Sequence, residues 1–221
     1  MIVKAVNHAS VLIQEDDNFI LTDPWYEQPA FGSWLPVPPT SIHPVYLLAL
    51  AKDNPKFKIL ISHGHDDHLD DEWLSLFPKD VTIIIPEYKS KGFLSRLKKL
   101  GLTNINEASN DGLQSDIFKI KSYVNSDISM DDAILTIETP NNFNIIKSFI
   151  KVDNKKYLNY GAFDYVKKLS KASKGLICPP TKGAYLTNKE GKTPNNTKLK
   201  NITCSLCKYC ITKNKPVFVQ H

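Results

Sequence analysis

Apolar residues recur along much of the chain in two rhythms, short unbroken runs and a looser helical spacing. Residues 2–6, 10–13 and 18–23 read as strands. Val11-Leu12-Ile13, the polar Glu15-Asp16-Asp17-Asn18 and Phe19-Ile20-Leu21-Thr22-Asp23 make a hairpin pattern. Ser41 to Lys52 reads as a helix on Val45, Leu47, Leu48 and Leu50, and Phe57 to Ile61 as a buried strand. A helix is expected from Leu69 to Phe77, with Asp70, Asp71 and Glu72 in its first turn, then a strand from Val81 to Ile85. Lys89 to Leu100 reads as a helix ended by Gly101, and Thr103 to Glu107 leads into the next strand. Further strands are expected at 117–124, 132–138 and 144–152, and a short basic helix at 165–172. Alternating strands and helices predict an α/β fold.

Two stretches break these rhythms. Pro24 to Pro39 is interrupted by five prolines yet carries Trp25, Tyr26, Phe31 and Trp34. Such a loop either packs onto the sheet or lines the mouth of a site. Residues 179–200 are rich in Pro, Gly, Asn, Thr and Lys without a period and read as irregular.

The 221 residues suit one domain, or one domain with an appendage. No apolar run approaches the ~18 residues of a membrane-spanning helix, and the N-terminus lacks signal-peptide features, so a cytoplasmic protein is expected. The net charge of +5 averages two unlike parts: residues 1–150 carry 13 basic and 20 acidic side chains, residues 151–221 carry 15 and 3. Arg96 is the single arginine, which disfavours bidentate phosphate clamps and a nucleic-acid partner.

The strongest chemical signal is Leu60-Ile61-Ser62-His63-Gly64-His65-Asp66-Asp67-His68. Alternate residues of an extended chain share a side, so His63 and His65 can converge on one ion. Asp67 and His68, where the chain turns, can aim at a second. Imidazole and carboxylate suit zinc, and also iron or manganese. The competing reading, polar residues capping a helix, explains one histidine better than three.

With this motif, the chain resembles the metallo-β-lactamase fold hydrolases, whose His-x-His-x-Asp-His pattern is met by His63, His65, Asp67 and His68. Asn7-His8-Ala9-Ser10-Val11-Leu12-Ile13 and Ile20-Leu21-Thr22-Asp23-Pro24-Trp25 are similar to the branch of ascorbate-6-phosphate lactonase-like and CMP-sialic acid hydroxylase-like proteins. The resemblance covers residues 1 to about 140. It implies an αββα sandwich, here over residues 1–165 and open to being incomplete at its C-terminus; from composition, residues 166–221 read as a Lys/Cys-rich extension, partly irregular. It further implies hydrolysis of an ester, lactone or phosphodiester-type bond in a small-molecule substrate by a metal-bound hydroxide. His63 and His65 would hold the first ion, Asp67 and His68 the second; Asp67 would also orient water or take a proton. His8 would lie nearby, as a donor to a ligand or to substrate, and Asp23 would support the site through hydrogen bonds.

The same pattern asks for a third histidine, a bridging aspartate and a late histidine. Met130 stands where the third histidine is expected, with Asp131 and Asp132 as oxygen alternatives, and Asp153 and Asp164 are candidates for the bridge. No histidine lies between 69 and 220, and His221, the last residue, would need an unusual path to serve as the late ligand. An alternative reading is therefore a catalytically degenerate protein that keeps the fold for binding. Cys204, Cys207 and Cys210, with Cys178 upstream, have spacing that suits zinc or an iron–sulfur cluster, or are free thiols.

Overall fold

The computed structural model describes residues 2–26, 28–36, 40–124, 133–140, 144–148, 176–178 and 217–219. Six strands, β1 (Ile2–Asn7), β2 (Ser10–Glu15), β3 (Asn18–Thr22), β4 (Phe57–Leu60), β5 (Thr82–Pro86) and β6 (Ile105–Ala108), lie side by side in chain order in one sheet. The first three pair antiparallel; β3 to β6 pair parallel. The crossovers carry α1 (Pro44–Asp53), α2 (Asp71–Leu74) and α3 (Gly92–Lys99). A second sheet holds β7 (Leu113–Ser115), β8 (Phe118–Val124), β9 (Ala133–Glu138), β10 (Asn144–Ser148), β11 (Leu176–Cys178) and β12 (Val217–Val219), also in chain order.

Near-continuous apolar runs in β3, β4 and β5 follow from burial on both faces. Leu21, Ile59, Ile61, Ile83 and Ile85 pack with Leu47 of α1, Trp73 and Leu74 of α2, and Phe93 and Leu97 of α3. The intervening Ile20, Leu60 and Ile84 turn the other way, onto Phe118, Ile120, Leu135 and Ile137 of the second sheet. Truncating Leu60, fully buried between the sheets, is expected to cost about 2–5 kcal/mol. Urea unfolding of Leu60→Ala measures that loss; a shift under about 1 kcal/mol would mean that the layers pack loosely there.

Helices are shorter than their apolar spacing suggests. α1 begins at Pro44 rather than Ser41: the proline sets the first-turn dihedral, and His43 Nδ1 accepts from Val45 N at 3.3 Å. α2 is a single turn rather than a helix to Phe77. Asp70 is its N-cap, accepting from Trp73 N at 3.0 Å, and Leu76 and Phe77 already donate to the third residue back, ahead of Pro78. α3 starts at Gly92, after the expected Lys89. β7 escapes any periodicity, being three residues long and only half-buried. The expected helix at 165–172 and the loop at 179–200 lie outside the described residues.

One consequence of topology decides where chemistry sits. With β1 antiparallel to β2 and β2 to β3, β1 runs in the same direction as β3, β4 and β5. Their C-terminal ends therefore share one sheet edge. The residues just beyond those ends are His8, Asp23, Ser62 with His63, and Tyr88.

Candidate metal centre

The end of β4 delivers the motif, and its surroundings hold it in shape. Asp23, buried just past β3, accepts from Ser62 N at 2.7 Å, from Ser62 Oγ at 3.0 Å and from His68 Nδ1 at 2.7 Å. Tyr88 OH donates to Ser62 O at 2.5 Å. Gly64 lies against α3: a Cβ there would stand 3.1 Å from the Phe93 ring. Its carbonyl accepts from Arg96 Nη1 at 2.6 Å, while Arg96 Nε reaches both oxygens of Asp71. The single arginine thus pins the loop. The turn closes when His68 N and Leu69 N donate to His65 O.

These bonds also orient the imidazoles. A carboxylate oxygen only accepts, so His68 carries its proton on Nδ1 and keeps a lone pair on Nε2. Ser62 Oγ, donating to Asp23, accepts from His63 Nδ1 at 2.9 Å, which leaves His63 Nε2 as the acceptor facing His65 Nδ1 at 2.9 Å. Two groups of ligand-type atoms result, each gathered within 4.8 Å: His63, His65 and Asp67, and His8, Asp67 and His68. His8, His63, Asp67 and His68 are buried, His65 is half-buried, and Asp66 points to solvent.

Burial, reinforced by the neighbouring His68, pushes His63 down to about 2. Its imidazole is neutral at ordinary pH, the form a metal requires. The linkage sign follows: the unfolded chain takes up a proton as pH falls through ~6.5, while the folded chain does not. Metal-free protein should therefore lose stability below pH ~6.5, by at most about 1.4 kcal/mol per pH unit from this residue, and gain nothing from it above. Urea unfolding with chelator, compared between wild type and His63→Gln at pH ~5 and ~7, isolates the effect. Equal pH slopes in the two proteins would rule it out.

The aromatic loop divides between its two readings. Trp25 and Tyr26 are buried, with Trp25 Nε1 donating to Gln28 O at 2.6 Å and Tyr26 lying 4.1 Å from Trp73 by ring centroids. Phe31 and Trp34 are exposed, edge to face with each other, and Phe31 stands 6.3 Å from the His65 ring.

Sequence reasoning passed over the roles of Ser62 and Tyr88 and the structural use of Arg96, and it put Asp70 in the first turn of α2 rather than at its cap. Ser62, Tyr88 and Asp70 share one signal, position at a strand end or a helix start; Arg96, inside α3, carries none. Met130, Asp131, Asp132, Asp153, Asp164, Cys204, Cys207 and Cys210 lie outside the described residues; Cys178 ends β11. Among the described residues, no helix is long and apolar enough to cross a membrane.

No family model matches the chain. A Mycolicibacterium smegmatis protein, assigned by name to the Rieske 2Fe-2S iron–sulfur proteins, is 35% identical over 108 residues, 48% of this chain and 20% of that protein. The chain thus spans about a fifth of the length of the curated relatives it matches. Among solved structures, a metallo hydrolase of Ignicoccus hospitalis is similar with a TM-score of 0.59 and 12% identity, over 99% of this chain and 94% of that one. The diiron β-hydroxylase CmlA of Streptomyces venezuelae gives 0.58 and 14%, over 99% and 44%. A metallo-β-lactamase fold protein of Bacillus subtilis gives 0.54 and 13%, over 95% and 88%. The chain has the αββα sandwich fold of the metallo-β-lactamase type.

Proposed function

We propose that the protein is a metal-dependent hydrolase acting on an ester, lactone or phosphodiester-type bond of a small molecule. The observation that carries this reading is the pair of histidine–aspartate groups sharing Asp67 at one sheet edge. The donors present fit a divalent ion: imidazoles and one carboxylate, largely buried, with the His63 and His68 ring nitrogens oriented by hydrogen bonds to neighbours. His63, His65 and Asp67 would hold one ion, and Asp67 and His68 contribute to a second. When bound, such an ion polarises the scissile group and lowers the pKa of a water towards ~7.

The chain's own residues supply the rest. Asp67, buried among the imidazoles, would also orient a water or take a proton. Asp23 fixes the His68 ring. Phe31 and Trp34 offer an apolar wall beside His65, which suits a substrate with a ring or acyl portion. Lactones and phosphodiesters are the first classes to try, in keeping with the branch that the opening residues resemble.

The test is metal content of the full chain together with turnover of a lactone and phosphodiester panel. Turnover that disappears with chelator and returns with zinc or manganese is expected. A chain that binds no divalent ion and hydrolyses nothing would instead be the degenerate binding form. A second reading keeps the ligands and exchanges the ion for iron; the diiron β-hydroxylase neighbour favours it. Zinc without iron in aerobically purified protein would count against it.

A further inference from the structure

We propose that His8 is a direct ligand of the second ion, so that His8 Nε2, Asp67 Oδ2 and His68 Nε2 form its protein triad. This rests on the metal-centre reading above and goes beyond it, because the resemblance places the remaining ligand of that ion late in the chain. No histidine stands between 69 and 220, and His221, the one late histidine of this sequence, lies outside the described residues.

Distances support it first. Asp67 Oδ2 lies 3.6 Å from His8 Nε2 and 3.8 Å from His68 Nε2. A direct charge-assisted hydrogen bond would bring such atoms to about 2.7–2.9 Å. Donors about 2.1 Å from a tetrahedral ion stand about 3.4 Å apart. At 3.6 and 3.8 Å the atoms are too far apart to hydrogen-bond to one another and within a few tenths of an ångström of that ligand spacing.

The backbone supports it independently. His8 adopts a left-handed conformation, φ 27°, in the turn between β1 and β2, next to a register shift between Ala5 and Asn7. A non-glycine residue there carries strain that its surroundings must hold. They do: the Asn7 side chain donates to Trp25 O at 2.7 Å and to Thr40 Oγ1 at 3.1 Å. The His8 ring stands edge-on to Trp25 at 5.0 Å and to His68 at 6.0 Å, buried at the shared sheet edge. Two imidazoles and one carboxylate with an open fourth position is a donor set that holds zinc in hydrolytic sites.

Full-length protein, stripped with chelator and titrated with Zn2+ or Co2+ by calorimetry, tests the assignment. Wild type should bind two ions, and His8→Asn and His8→Ala should bind the second at least about 100-fold more weakly while keeping the first. Asparagine tolerates the left-handed backbone, so His8→Asn separates lost ligation from a lost turn. The visible spectrum of bound Co2+ adds a second readout: its second-site band should change in both variants. Two ions bound with unaltered affinity and spectrum in His8→Asn would overturn the inference and leave the hydrolase reading standing. A wild type that binds no ion would overturn both.

Discussion

The double variant His65→Ala/His68→Ala is expected to lose more than about 100-fold in kcat/KM on any substrate that the wild type turns over, and to bind divalent ions far more weakly at both positions. One histidine comes from each ligand group, so each ion is left with a reduced set around the shared Asp67. Removing a residue that merely orients a ligand typically costs 10–100-fold in metal affinity or activity, and removing the ligand itself exceeds that. The fold should survive. His65 is half-buried and belongs to neither core cluster, and the loss of His68 still leaves Asp23 bonded to Ser62 N and Oγ. Turnover, metal content and an unfolding curve on one preparation distinguish the cases. Activity retained in a folded double variant would sink the metal-dependent hydrolase.

How much of this site the sequence disclosed depended on whether its residues were neighbours in the chain. His63, His65, Asp67 and His68 stand together after an apolar strand, and that strand is apolar throughout because Ile59 faces the helices and Leu60 the second sheet. Both facts are local. His8 is over fifty residues away, and what brings it to His68 is the parallel run of β1 and β4, which pairwise strand register decides and local periodicity does not. Asp23 was legible as a supporting residue, but not its three bonds, since two of their donors are set by the conformation of Ser62. Arg96 misleads in isolation: its rarity argues against anion binding, whereas its guanidinium serves the carbonyl of Gly64 and the carboxylate of Asp71. Helix α2 reads too long because Leu76 and Phe77 continue an apolar rhythm in which only Phe77 is buried.

Asp23→Asn, one atom type changed in a side chain with no contact to solvent, is expected to destabilise the fold by about 2–4 kcal/mol and to weaken metal binding by about 10–100-fold. The Asp23 carboxylate accepts from Ser62 N at Oδ1 and from Ser62 Oγ and His68 Nδ1 at Oδ2. An amide cannot accept at both positions. If its NH2 takes the Oδ1 place, it meets the backbone N–H of Ser62, donor against donor. If it takes the Oδ2 place, His68 Nδ1 must accept instead, and the ring proton moves to Nε2, the atom that should face the ion. Either arrangement leaves a buried donor opposed or a ligand lone pair lost. Nitrogen NMR of metal-free protein reads the tautomer directly: wild-type His68 should be protonated at Nδ1, and the variant at Nε2 in the second arrangement. Urea unfolding reports the stability loss and calorimetric titration the affinity. An Asp23→Asn protein with wild-type stability, tautomer and zinc affinity would show that Asp23 does not orient His68, and that the ring is held by packing against His63, 4.1 Å away by centroids.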